Sequence, residues 1–430
     1  MASHEISWVR ERMLAQSVAP TRQGGSLNWI RNNLFNGWLS SLLTVASLLA
    51  VASTVFAVGP WLANSVWQAS SLGECRQILG GEPGACWGVI RDRWPQLVFG
   101  FYPPEQYARP VLAFALLLVA LAPMLFSRVP RKLLWFSFVF PGLVFWLIWG
   151  GTLWLTAMAY AGLLIGAALL RLGEKVSTVV GIILAVAGTV AWWLCAAGPV
   201  ATWLAGHLAP ISLTSVTSRE LGGFLLSILI GVTGIGLSLP LGILLALGRQ
   251  SSMPLIKVMS VVFIEFVRGV PLITLLFTAS LLLNYFLPPG TEFDLILRVI
   301  IMVTVFATAY IAEVIRGGLA ALPRGQFEAA EALGLGYWKA QRLVIMPQAL
   351  KISIPVIVST FIGLFKDTTL VVFIGLLDPI ALSTAIRAST DWQGIYWELF
   401  IFIGALFFLF CFAMSRYSMY LERRLKTDHR

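Results

Sequence analysis

Six polar residues set inside long apolar runs carry what chemistry this sequence offers. They are Glu265 and Arg268 in FIEFVRGVP, and Lys366, Asp367, Thr368 and Thr369 in LFKDTTL. An ionisable group at membrane depth costs roughly 2.5–3.5 kcal/mol on insertion scales unless it is paired or faces water. Glu265 and Arg268 stand three residues apart, share a helix face and can pair. Read structurally, they hold a bend; read functionally, they line a path. Lys366 and Asp367 are adjacent, so on a helix they point about 100° apart, and each needs its own partner or a wet cavity. Together they suit a ligand with one carboxylate and one ammonium, or else they pair with another span or another chain. Catalysis has little to build on. His4, His207 and His429 are far apart, and no Cys/His cluster has metal spacing. No G-x-x-x-x-G-K-[ST] phosphate cradle occurs. The chain is expected to hold no metal or cofactor and no catalytic residue.

Groups of this kind must be positioned by membrane helices. Of 430 residues, 58% are hydrophobic and 12% charged, with 17 Trp and 27 Phe, a composition that excludes an ordinary soluble protein and predicts an all-α polytopic membrane protein. Ten spans can be drawn, at 38–64, 110–126, 133–150, 152–170, 177–205, 222–247, 255–286, 295–315, 352–377 and 395–415. With the N-terminus inside, Lys and Arg concentrate on inside segments. Only Arg76, Arg91, Arg93, Arg109, Arg219, Arg298 and Arg387 fall outside, and Arg268 and Lys366 lie within spans. The positive-inside rule then places both termini in the cytosol. It also accounts for the net charge of +10 and the pI of 9.7 without a nucleic-acid partner.

The polar stretch His207 to Leu221 separates two blocks of five spans. The expected organisation is a cytoplasmic segment 1–37, a block 38–206 with an outside loop 65–109, and a rear block 222–424. The first 36 residues lack an apolar run and the first span is much longer than a signal-peptide core, so that span is expected to be an uncleaved anchor. The front block has almost no ionisable residue inside its spans, so it is expected to pack around the rear block, bind lipid or brace a partner. Leu255 to Phe286 is too long for one straight span, and Gly269, Val270 and Pro271 predict a break in it. Cys75 and Cys86 share the outside loop, with turn signals between them, and can close a disulfide or stay as thiols. Cys195 and Cys411 are expected to be buried.

Between two rear spans the segment 317–350 is polar, and Glu328 to Pro347 reads EAAEALGLGYWKAQRLVIMP. Gln326 to Leu333 favours a helix of about two turns, with Phe327, Ala330 and Leu333 on one face and Glu328 and Glu331 beside them. Gly334 is suited to end it in a left-handed conformation, and Pro347 is expected to mark where the chain turns back to the membrane. Such a helix can plug into a groove on a partner. Glu313 and Arg316, just before it, form an interfacial pair.

The order Glu328, Ala329, Ala330, three residues, Gly334, nine residues, Val344-x-Met346-Pro347 resembles the cytoplasmic loop of bacterial ABC importer permeases, with Val344 and Met346 standing where Ile and Leu are usual. FIEFVRGVPLITLLF, IAEVIRGGLAALPRGQ and LFKDTTLVVFIGLLD are similar to the polar amino acid subfamily, over about Gly222 to Arg424. SWVRERMLAQ and NWIRNNLF are similar to the long permease subunits of general L-amino acid importers. The resemblance implies a multi-pass protein of the bacterial inner membrane that forms half of a path for amino acids. It also implies coupling to an ATPase through Phe327, Glu328, Ala329, Ala330, Leu333, Gly334 and Pro347. The implied partners are a dimer of ATP-binding subunits holding ATP and Mg, a second homologous permease, a periplasmic amino-acid-binding protein, lipid and the amino acid itself. An ion-gradient carrier is the alternative, but it would not need this loop, and the front block has no second Glu-Ala-Ala loop to suggest an inverted repeat. A scaffold that only recruits an ATPase would lack a polar path.

Overall fold

The computed structural model describes residues 26–126, 128–208, 211–282, 285 and 293–425. SWVRERMLAQ, His4, His429 and most of the expected cytoplasmic segment 1–37 lie outside the described residues. The front helices are α1 (Ser26–Leu34), α2 (Trp38–Ala63), α3 (Leu72–Leu79), α4 (Gly88–Phe99), α5 (Ala108–Leu125), α6 (Leu134–Trp149), α7 (Leu153–Gly173), α8 (Thr178–Ala191) and α9 (Ala197–His207). The rear ones are α10 (Gly223–Arg249), α11 (Pro254–Gly269), α12 (Leu272–Phe277), α13 (Leu295–Ala320), α14 (Arg324–Ala332), α15 (Tyr337–Ala340), α16 (Met346–Asp367), α17 (Pro379–Ala388) and α18 (Trp397–Leu425). Among the described residues nine helices are long and apolar enough to cross a membrane, and the pair α11 and α12 adds a tenth if its halves count together.

By compactness the chain divides into residues up to 68 together with 74–87, and 69–73 together with 88 onward. In the first unit α2 is apolar all round and buries no residue, the signature of a helix whose surroundings are lipid or another chain. Cys75 and Cys86 are joined by a disulfide, and Trp87 stacks on Trp67 with ring centroids 5.7 Å apart.

The second unit is organised around α13. Along its apolar stretch 61% is buried, against 28% for α10, which makes α13 the central rod. The small residues Gly231, Gly234, Ser238, Gly242 and Ala246 of α10 are buried, and this strip allows the close approach that holds helices together where lipid weakens the hydrophobic drive. Phe224 at the start of α10 meets Phe365 of α16 and Phe407 and Phe410 of α18, with centroids 4.9–6.0 Å apart. At the same end, the chain just after α4 is tied down by a backbone bond from Phe101 N–H to the Glu220 carbonyl, 3.1 Å, and α4 itself by the Trp392 indole donating to Asp92, 3.2 Å.

The predicted break lies between α11 and α12, which meet at 101°. Val270, before Pro271, is extended at φ −104°, ψ 130°, as proline demands of the residue preceding it. Leu276 of α12 packs in one cluster with Val299 and Val303 of α13. The two halves therefore cannot both run along the same axis. Cys411 is buried, but Cys195 is exposed, contrary to expectation. Its π turn, Trp192–Ala196, buries no residue, and an apolar sulfur faces a lipid-like surface at no cost.

Asp378 caps α17, its carboxylate accepting from Ala381 N–H at 2.8 Å, while its second oxygen is buried without a hydrogen-bond partner among the described residues. Burial pushes its pKa up to about 6, offset in part by the backbone bonds of the cap. An acid whose folded pKa is raised contributes stability below its unfolded pKa, near 4, and loses it as pH rises through about 6. Asp378→Asn keeps the cap. It is expected to stabilise the protein by roughly 1–2 kcal/mol at pH 8, with the difference gone at pH 4, as measured by thermal unfolding in detergent.

Candidate functional site

Helix α14 projects between α13 and α16. Phe327 is partly buried against the Ile311, Ile315 and Ile345 cluster, Ala330 is 2% exposed, and Gln348 of α16 donates to Gln326 at 2.9 Å. Its end forms a Schellman motif: Leu335 N–H reaches the Ala330 carbonyl at 3.2 Å and Gly334 N–H the Glu331 carbonyl at 2.8 Å. Gly334 takes φ +68°, a conformation in which a β-carbon is strained. Leu333 does not share the inward face of Phe327 and Ala330. It is 76% exposed, next to Tyr337 at 53% and Trp338 at 68%. Glu328, Ala329 and Glu331 are exposed beside them.

Pro347 does not mark a turn back. The chain is helical without interruption from Tyr337 to Ile374, and the reversal occurs earlier, at Leu333 to Gly336. Proline is tolerated there because Gln341–Ile345 is a π turn, in which Met346 N–H bonds the Gln341 carbonyl five residues back. The bond a proline would break in an α-helix is already displaced.

Glu265 and Arg268 lie at the end of α11, 3.9 Å apart, within a larger cluster. Arg249, the last residue of α10, donates to Glu265 at 2.7 Å and lies 3.5 Å from Glu313 of α13. Arg268 is 3.9 Å from Glu313 and 5.7 Å from the Tyr310 ring centre. Arg316 grips Glu313 with two bonds, 2.9 and 2.7 Å. The sequence reading missed Arg249, whose only signal was an arginine at the end of an apolar run.

The second polar group stands where α16 gives way to a 3-10 turn, Thr368–Ile374. Lys366 is exposed and Asp367 half-buried. Thr368 is buried and donates to the Phe365 carbonyl at 2.7 Å, and Thr369 to the Lys366 carbonyl at 2.9 Å. The hydroxyls are thus satisfied within their own turn, and the charged pair remains for another contact. The structure does not bring this group into the Arg249 cluster.

Comparison with known proteins identifies the lineage. Residues 238–427 match the model of the binding-protein-dependent transport system inner membrane component. The glutamate/glutamine/aspartate/asparagine transport system permease protein BztC of Rhodobacter capsulatus is 59% identical over 99% of this chain and all of its own length. The inner membrane amino-acid ABC transporter permease protein YhdY of Escherichia coli is 38% identical, over 93% of each chain. A crystal structure of an amino acid ABC transporter with histidines is 30% identical over 46% of this chain and 90% of that one, with a TM-score of 0.42. The family match falls on the rear helices that carry α14 and the charged cluster. With a full-length relative at 59% identity, the chain belongs to the amino-acid ABC transporter permeases, the membrane components of binding-protein-dependent transport systems.

Proposed function

We propose that this chain forms half of the translocation path of an importer for acidic amino acids and their amides, driven by ATP hydrolysed on a separate dimer of subunits that holds ATP and Mg. The observation that carries this reading is the surface around α14, where Leu333, Tyr337 and Trp338 stand exposed at 76%, 53% and 68% beside Glu328 and Glu331. Large apolar side chains on a polar loop mark a docking surface, and a rigid Schellman end gives it a defined shape. The substrate class follows the name of the Rhodobacter capsulatus relative. Charge distribution supports an inner-membrane topology with α14 and both termini in the cytosol. The front block 38–206 would brace the core, 222–424, and a second, homologous permease would supply the other half of the path. A periplasmic amino-acid-binding protein would deliver the substrate.

The test is receptor-stimulated ATP hydrolysis and amino acid uptake by the complex that co-purifies with this chain. Absence of an ATP-binding subunit from that complex overturns the reading. Lys366 and Asp367 are proposed to face the path and meet the carboxylate and ammonium of the substrate. Lys366→Met and Asp367→Asn are expected to lower uptake about tenfold, the worth of one hydrogen-bonded charge, while leaving complex recovery unchanged. Parallel loss of recovery and uptake would assign the pair a structural role.

A further inference from the structure

We infer that Arg249 is the positioning residue of an exchangeable ion-pair lock between α10, α11 and α13, and that this lock sets whether hydrolysis waits for the loaded receptor. The inference rests on the proposed coupling role of α14. Three guanidiniums, of Arg249, Arg268 and Arg316, share two carboxylates, of Glu265 and Glu313. Two of the arginines have an acid three residues away on their own helix: Arg268 with Glu265 at 3.9 Å and Arg316 with Glu313 at 2.7 Å. Should α13 part from α10 and α11, those pairs travel with their helices.

Arg249 has no such fallback, because both of its carboxylates sit on other helices, Glu265 on α11 at 2.7 Å and Glu313 on α13 at 3.5 Å. The contacts that cross to Glu313, at 3.5 and 3.9 Å, are also longer than the 2.7 Å grip of Arg316 on the same carboxylate. Parting therefore leaves no carboxylate stranded, and it mainly removes one guanidinium from one of its two acids. A static weld would strand buried charge when opened. An arrangement in which each carboxylate keeps a guanidinium on either side of the parting is what a two-state element requires. The cluster is also well placed to act on α14, because Glu313 is on the rod that leads directly into that helix. Among the described residues the Nε of Arg268 is buried without a hydrogen-bond partner, so the cluster is not fully satisfied in this arrangement.

The experiment uses the purified complex reconstituted in vesicles, with and without loaded receptor. Arg249→Gln is expected to raise receptor-free hydrolysis about fivefold or more, the scale of a typical coupling between sites, and to lower the amino acids moved per ATP. Arg249→Lys keeps the charge but presents a single ammonium, which spans two carboxylates poorly. It should shift both quantities in the same direction by less. A merely structural role would lower complex recovery, hydrolysis and uptake together and leave their ratios alone. Wild-type ratios in Arg249→Gln overturn the proposal. If Arg249→Gln fails to assemble, wild-type ratios in Arg249→Lys overturn it equally. Receptor stimulation of the wild-type complex separately checks the reading beneath, so failure of that reading is distinguishable from failure of the lock.

Discussion

A complex carrying Gly334→Val is expected to insert, to retain its receptor, and to lose most receptor-stimulated hydrolysis. The reason is local. Gly334 holds φ +68°, which costs a β-branched residue roughly 1–2 kcal/mol or more, and among the described residues no heavy atom beyond its chain neighbours lies within 4 Å of where a Cβ would stand. The penalty is therefore conformational and not a collision. It falls on the two Schellman bonds that fix the end of α14, so the exposed Leu333, Tyr337 and Trp338 lose their fixed relation while the apolar rods are untouched. Glu328→Lys should act on the same surface by reversing an exposed charge midway along α14. The measurement is hydrolysis with and without loaded receptor, beside recovery of the ATP-binding subunits. Wild-type stimulation in both variants would remove α14 from the coupling path.

Gly318→Val is expected to give the opposite phenotype, loss of the assembled protein itself. A Cβ at Gly318 would collide with the Ser353 hydroxyl and come within 2.6 Å of the Ala349 carbonyl oxygen. The second of these is backbone and cannot rotate away. Here α13 and α16, the two rods that bear α14, pack directly on one another, with Ala349 and Ser353 buried. Overpacking in a filled core costs typically 1–3 kcal/mol and more where backbone must move. The expected result is a drop in Tm and in membrane recovery, with specific activity of any surviving complex near normal. Full recovery with an unchanged Tm would mean that the rods separate more readily than their packing implies.

Much of this was legible in the sequence because lipid forces backbone bonds inside each span, so apolar length alone locates helices such as α10 and α13. The Glu328 to Gly334 loop was legible because helix propensity and a glycine stop agree with one another. The pair of Glu265 and Arg268 could be read from three-residue spacing, but Arg249 could not. It reaches Glu265 across a chain reversal and Glu313 across helix packing, and only tertiary structure joins them. Pro347 misled for a different reason. The rule that proline ends a helix assumes the four-residue bond ladder, and a local π turn suspends that assumption. Leu333 was placed on one face with Phe327 and Ala330 by periodicity, yet it is the cap residue, where helical phase no longer applies.

The π turn at Gln341–Ile345 has a consequence for how motion is stored. One residue of surplus in a helix shifts everything beyond it by about 100° of phase, so the direction in which Lys366 points relative to α14 is set by a single extra residue between them. Winding that surplus out would rotate the distal helix about its own axis without moving either end sideways. A one-residue deletion within 341–345 is then a rotation of the downstream face, whereas a deletion in the loop before Tyr337 is only a shortening.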